Sequence, residues 1–60
     1  MLFDVSDFPK FISYAEKNYP PFTHMTTILI AAGYKSSKFR SFGSWYMDDE
    51  EYTWFVLRWS

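Results

Sequence analysis

"FGSWYMDDEEYTWFVLRW", residues 42–59, decides how this chain folds. Four consecutive carboxylates, Asp48, Asp49, Glu50 and Glu51, separate two runs rich in aromatic and aliphatic side chains. The second run alternates, with Tyr52, Trp54, Val56 and Arg58 on one side and Thr53, Phe55, Leu57 and Trp59 on the other. Aromatic and β-branched runs joined by a short polar segment predict a β-hairpin. Its expected strands are residues 42–47 and 52–59, and its loop is 48–51. Both faces of the second strand are largely apolar, so it is expected centrally, with residues 2–5 as a neighbouring edge strand. On that reading Phe55 and Leu57 belong to the core.

The tetrapeptide Tyr46-Met47-Asp48-Asp49 resembles the one at reverse transcriptase active sites, where carboxylates at a hairpin turn hold catalytic metal. Two-metal phosphoryl transfer needs carboxylates converging on ions about 3.5–4 Å apart inside a shaped site. A third carboxylate would have to come from Asp4 or Asp7, in a chain of 60 residues, too short to build a polymerase palm. Residues 48–51 also lack the alternating ligands and central glycine of a calcium loop. The acidic run therefore reads as a solvated turn that discourages sheet edges from stacking or docks on a basic partner.

The other routes to chemistry close in the same way. Cysteine is absent, which excludes disulfides and thiolate zinc sites, and a single histidine, His24, excludes an imidazole-rich metal site. His24 has no cysteine to activate and no serine in a nucleophile-elbow context. Gly33 and Gly43 are the only glycines, too few for a phosphate cradle. The chain is expected to be non-enzymatic, with no cofactor and no metal.

Aromatic content points elsewhere. Seven Phe, five Tyr and three Trp make up 25% of the chain. Each ring buries roughly 150–250 Å² when enclosed, so a chain of 60 residues cannot hide them all. Surface Trp, Tyr and Arg are the usual anchors of protein interfaces. The formal net charge is −1, from six Lys and Arg against seven Asp and Glu, which is no electrostatic footprint for nucleic acid. No apolar run approaches the ~20 residues of a membrane span, and residues 1–4 do not open a secretory signal. A soluble, cytoplasmic protein is expected.

Two helices are legible upstream. Phe8, Phe11, Ile12, Ala15 and Tyr19 recur at helical spacing, Ser6 or Asp7 is available as a cap, and Tyr19-Pro20-Pro21 ends the segment. A helix over 7–18 follows. Met25, Ile28, Leu29 and Ala32 repeat the pattern, with Thr23 as cap and Gly33 as the terminating glycine. Residues 36–42 are compatible with a short helical turn or a strand. The stretch 26–42 has the rhythm of a helix-turn-helix, with Lys35, Lys38 and Arg40 as its basic residues, and the following hairpin resembles the wing of a winged helix. Leu29 stands where that motif usually has a small residue four positions before its glycine. The acidic loop would repel phosphates at the wing tip.

Together these features predict an α+β domain. Two helices, or three with a turn at 36–42, pack on a small antiparallel sheet dominated by a C-terminal hairpin, winged-helix-like in outline. Phe8, Phe11, Ile12, Ala15, Ile28, Leu29, Phe55 and Leu57 form its core. The expected function is a protein-binding module, of the kind a virus or plasmid encodes to inhibit or modulate a host protein. It would bind through a hairpin face of Tyr46, Tyr52, Trp54 and Arg58 beside Asp48 and Asp49, and a homodimer through the same face is a close variant. The runner-up is a DNA-binding regulator using Lys35, Lys38 and Arg40.

Overall fold

The elements run β1 (Leu2–Phe3), a 3-10 turn (Val5–Asp7), α1 (Pro9–Asn18), α2 (Met25–Ala31), β2 (Lys38–Ser41), β3 (Ser44–Tyr46) and α3 (Asp49–Trp59) in the computed structural model, which describes residues 1–60. The architecture is α+β, as expected, with three helices and a three-stranded antiparallel sheet in the order β1-β3-β2. The hairpin, however, lies one segment earlier than the alternation predicts.

Residues 48–51 are not a hairpin loop. Asp48 is the N-cap of α3, and Asp49, Glu50 and Glu51 fill its first turn, where the positive end of the helix dipole favours negative charge. Residues 52–59 are therefore helical. Tyr52, Phe55, Val56 and Trp59 take the i, i+3, i+4, i+7 spacing and turn inward. A run so uniformly apolar satisfies a period of 2 and a period of 3.6 alike, so only the acidic cap distinguishes them. Leu57, expected in the core, is 71% exposed as a result.

The real hairpin joins β2 to β3 through Phe42 and Gly43. Gly43 has φ +82, a conformation that costs glycine nothing. Lys38 pairs with Tyr46, Phe39 with Trp45 and Ser41 with Ser44. Arg40 is thus an extra residue, a bulge that bends β2. β3 is central. Its other edge pairs with β1, Leu2 opposite Tyr46 and Phe3 opposite Trp45, and the Met47 N–H continues the ladder to the Met1 carbonyl at 3.0 Å. No helix stands between Gly33 and the hairpin; residues 34–37 form turns and 38–41 are strand. That settles the open choice at 36–42, and the second helix of a helix-turn-helix is missing.

The upstream helices follow the sequence closely. Pro9 takes the first position of α1, where its missing N–H costs nothing. Asp7, expected in the helix, ends the 3-10 turn, and Phe8 links that turn to α1; Asp4 caps the turn through the Ser6 N–H at 2.9 Å and the Ser6 hydroxyl at 2.8 Å. Thr23 does not cap α2. His24 does, its Nδ1 accepting the Thr26 N–H at 3.2 Å. Beyond Ala32, Gly33 (φ +108) donates to the Ile30 carbonyl and Tyr34 to the Leu29 carbonyl, each at 3.0 Å. This pair of bonds is the Schellman ending that the glycine predicts.

The core is mostly aromatic. Phe55 is fully buried, and its ring lies 4.7 Å from Phe8, 5.1 Å from Phe11 and Tyr34, and 5.3 Å from Phe3. Several of these pairs are edge-to-face, an arrangement worth about 0.5–1.5 kcal/mol beyond burial alone. Trp59 packs on Phe11 and donates its Nε1–H to the Tyr34 hydroxyl at 3.0 Å, so the polar ends of two buried rings satisfy each other. Phe8, Phe11, Ala15, Ile28, Leu29 and Phe55 are buried as expected, and Ile12 packs at the margin.

Candidate functional site

Two phenylalanines point straight into solvent. Phe22 is 104% exposed and Phe42 is 99% exposed. Both sit at the tips of tight turns, and both turns hold them there by backbone bonds. Pro21 and Phe22 are the central pair of a turn in which the Thr23 N–H reaches the Pro20 carbonyl at 3.3 Å and the Thr23 hydroxyl donates to the same oxygen at 2.7 Å. Phe22 has φ +71, the only non-glycine residue with positive φ. Proline followed by a residue of positive φ is the type II pattern, which strongly prefers glycine at the second place. An aromatic there costs roughly 1–2 kcal/mol of backbone strain and gains no burial in return. Strain of this kind, kept where nothing in the fold needs the side chain, points to a role outside the fold.

The two tips frame one apolar face. Ile12, Ala15, Tyr19, Phe22, Met25 and Ile28 line a cleft of ≈ 470 Å³ between α1 and α2. Val5, Ile12, His24, Met25, Phe39 and Trp45 line a second of ≈ 500 Å³ against the hairpin, with Phe42 and Gly43 on its rim. Ile12 and Met25 belong to both clefts, so the two adjoin between the Phe22 turn and the Phe42 turn. Its floor is braced. Trp45 donates its Nε1–H to the Thr26 hydroxyl at 3.0 Å, which ties the sheet to the start of α2. The Phe39 ring stands edge-on to Trp45 at 5.7 Å and to His24 at 5.9 Å. Phe39 remains 48% exposed.

The residues favoured by the sequence fall elsewhere and do not share a hairpin face. Tyr46 lies on β3, half-buried, and its hydroxyl donates to Asp48 Oδ1 at 3.3 Å. The Asp48 charge is the main reason its phenol is pushed above the usual tyrosine range, followed by burial and that hydrogen bond. Tyr52 packs inward, its ring 5.4 Å from Phe3. Trp54 is exposed on the outer side of α3. Arg58 lies exposed with its guanidinium 4.2 Å over the Trp59 ring. Asp49 is an exposed first-turn residue of α3. Asp48, Glu50, Glu51 and Trp54 border a more polar cleft of ≈ 460 Å³ beside Gly33 and Tyr34. Lys35, Lys38 and Arg40 are all exposed, the last two on β2.

The acidic run has a structural use. Glu51 Oε1 accepts the Ser36 N–H at 2.9 Å and the Ser36 hydroxyl at 2.6 Å, while the Asp48 N–H donates to the same hydroxyl oxygen at 3.0 Å. Ser36 thereby pins the start of α3 to the turn after α2. The Ser36 hydroxyl, and then its N–H, hold the Glu51 carboxyl below the usual glutamate range. No three His, Asp or Glu side chains stand close enough to share a metal ion, and no helix is long and apolar enough to cross a membrane.

Sequence reasoning missed Phe22 and Phe42, although each carried a local sign. Pro21 ahead of Phe22 marks a turn whose next place wants glycine. Phe42-Gly43 is a two-residue loop with glycine between strand-forming runs. The chain matches no known protein family, no curated protein and no solved structure.

Proposed function

We propose that this protein is a binding module that docks on another protein through the face running from Phe22 across Ile12 and Met25 to Phe42. The observation that carries this reading is the pair of fully exposed phenylalanines at backbone-fixed turn tips, flanking two apolar clefts with a common floor. A contiguous apolar face with aromatic anchors is the usual mark of a protein contact. Because the turn backbones are already fixed, little loop ordering is left to oppose association. A module of this size acts by occlusion, covering a working surface of its partner, which is the manner of a small inhibitor or modulator of a host protein. A second copy of the chain on the same face is the homodimeric variant, and sedimentation over a range of concentrations separates the two.

The nucleic-acid reading ranks second. Lys35, Lys38 and Arg40 are exposed, but no recognition helix carries them. The test is photo-crosslinking in the native cell with benzoylphenylalanine at position 22 or 42, against position 54 or 57 on α3. Discrete heavier adducts from 22 and 42 alone support the face. Adducts confined to 54 or 57 transfer the function to α3 and overturn it.

A further inference from the structure

The sheet order β1-β3-β2 leaves β2 at an edge, and every residue of Lys38–Ser41 is exposed. A strand bonded on one side only turns alternate N–H and C=O groups outward, where they can accept another strand. Side chains along a strand divide by period 2, an alternation that β2 keeps at Lys38 and Phe39 and breaks at the Arg40 bulge. Phe39 shares its sheet face with Trp45 and lines the apolar cleft. Lys38, the partner of Tyr46, belongs to the opposite face, and Arg40, at the bulge, is exposed. Neither Lys38 nor Arg40 has an ion-pair partner. Asp4, the carboxylate that lines the cleft, already accepts the Ser6 N–H and hydroxyl.

We propose that β2 takes an extended acidic segment of the partner protein as a fourth strand. The segment's alternate side chains divide between the two faces. An apolar one enters the cleft beside Phe39, Trp45 and His24, and carboxylates on either side of it in the sequence meet Lys38 and Arg40. Main-chain bonds supply affinity in such additions, and alternate side chains supply selectivity. A second copy of this chain is a poor occupant of the edge, because pairing β2 with itself gathers two Lys38 and two Arg40 side chains and like charges across paired strands repel. This inference rests on the docking face proposed above and names what lies along one border of it.

The test uses the full chain, isotope-labelled for NMR, and a ten-residue peptide alternating glutamate with valine. Three comparison probes are a lysine-for-glutamate version, a version N-methylated at alternate amides, and oligothymidylate. The glutamate peptide is expected to slow amide exchange within 38–41 and to shift the Phe39 and Trp45 signals. Its binding should weaken about tenfold or more in the Lys38→Glu, Arg40→Glu double variant, since two exposed charge pairs change from attraction to repulsion. Equal binding of the lysine peptide, undiminished binding of the N-methylated peptide, tighter binding of oligothymidylate, or no protection of β2 at millimolar peptide would each overturn strand addition. If benzoylphenylalanine adducts still form from positions 22 and 42 in that case, the docking face stands and only its strand-adding border falls. Loss of those adducts removes the face itself.

Discussion

Phe55 and Phe42 are the same side chain in opposite settings. Phe55, on the inner side of α3, has no exposure and lies within 5.3 Å of four other rings, centroid to centroid. Phe42, at the hairpin tip, is 99% exposed and stacks on no ring. The aromatic surplus of this chain therefore serves two ends. One set, gathered from β1, α1, α3 and the turn after α2, closes a core that a short chain without disulfide or metal otherwise lacks. The other set contributes little to that core: Phe22 and Phe42 are held out by turns, and Phe39 lies half-exposed on the edge strand β2. On the proposed reading, stability and binding can be removed separately.

The strongest way to break that division is at its buried end. Phe55→Ala removes the hub of the ring cluster and should cost about 3–5 kcal/mol, comparable with the whole stability of so small a domain. Loss of the cooperative transition in circular dichroism is the expected result, and a folded, cooperatively melting variant would contradict the assignment of α3 as the core helix. Next in size is Ser36→Ala, which removes the pin between the α2 turn and the start of α3. A loss of about 1–2 kcal/mol in urea unfolding at neutral pH is expected. The Glu51 carboxyl is held below its ordinary range in the folded chain, so its contribution is present above that range and disappears as pH falls through the lowered value. The gap between wild type and Ser36→Ala should accordingly narrow on acidification from pH ~7 to pH ~3, across the range where glutamate titrates.

At the exposed end the signs change. Phe22→Gly relieves a positive φ and should raise stability by up to about 1 kcal/mol, the strain removed less the entropy that glycine adds to the unfolded chain. A destabilised variant would mean that the Phe22 ring supports the fold after all. Smallest of the effects, Phe42→Ala should leave the unfolding midpoint within about 0.5 kcal/mol of wild type.

How much of this was legible in the sequence differs by region. The helices over 9–18 and 25–31 were, because proline, glycine and a 3.6-residue period agreed there. Residues 52–59 were not. Thr53, Trp54 and Leu57 fill outward positions of a helix with residues that also suit a strand, so the pattern lost its contrast. The acidic run at 48–51 was the one local sign of a helix start, and the Ser36 bonds that brace it span 15 residues of sequence and cannot be seen from local spacing. The candidate face was obscured for a related reason. It assembles from residues 5, 12, 22, 24, 25, 39, 42 and 45, which only the tertiary fold brings together. An exposed aromatic and a buried one look identical until the turns that aim them are known.

The most direct test of the central claim joins Phe22→Gly with Phe42→Ala in one chain and measures both urea unfolding and partner capture from the native cell, with Trp54→Ala as the matched aromatic deletion on α3. The expected double variant is at least about as stable as wild type and no longer captures the partner, while Trp54→Ala still does. A double variant that retains capture, or loses it only because it no longer folds, would contradict the claim that these two phenylalanines serve binding and not the core.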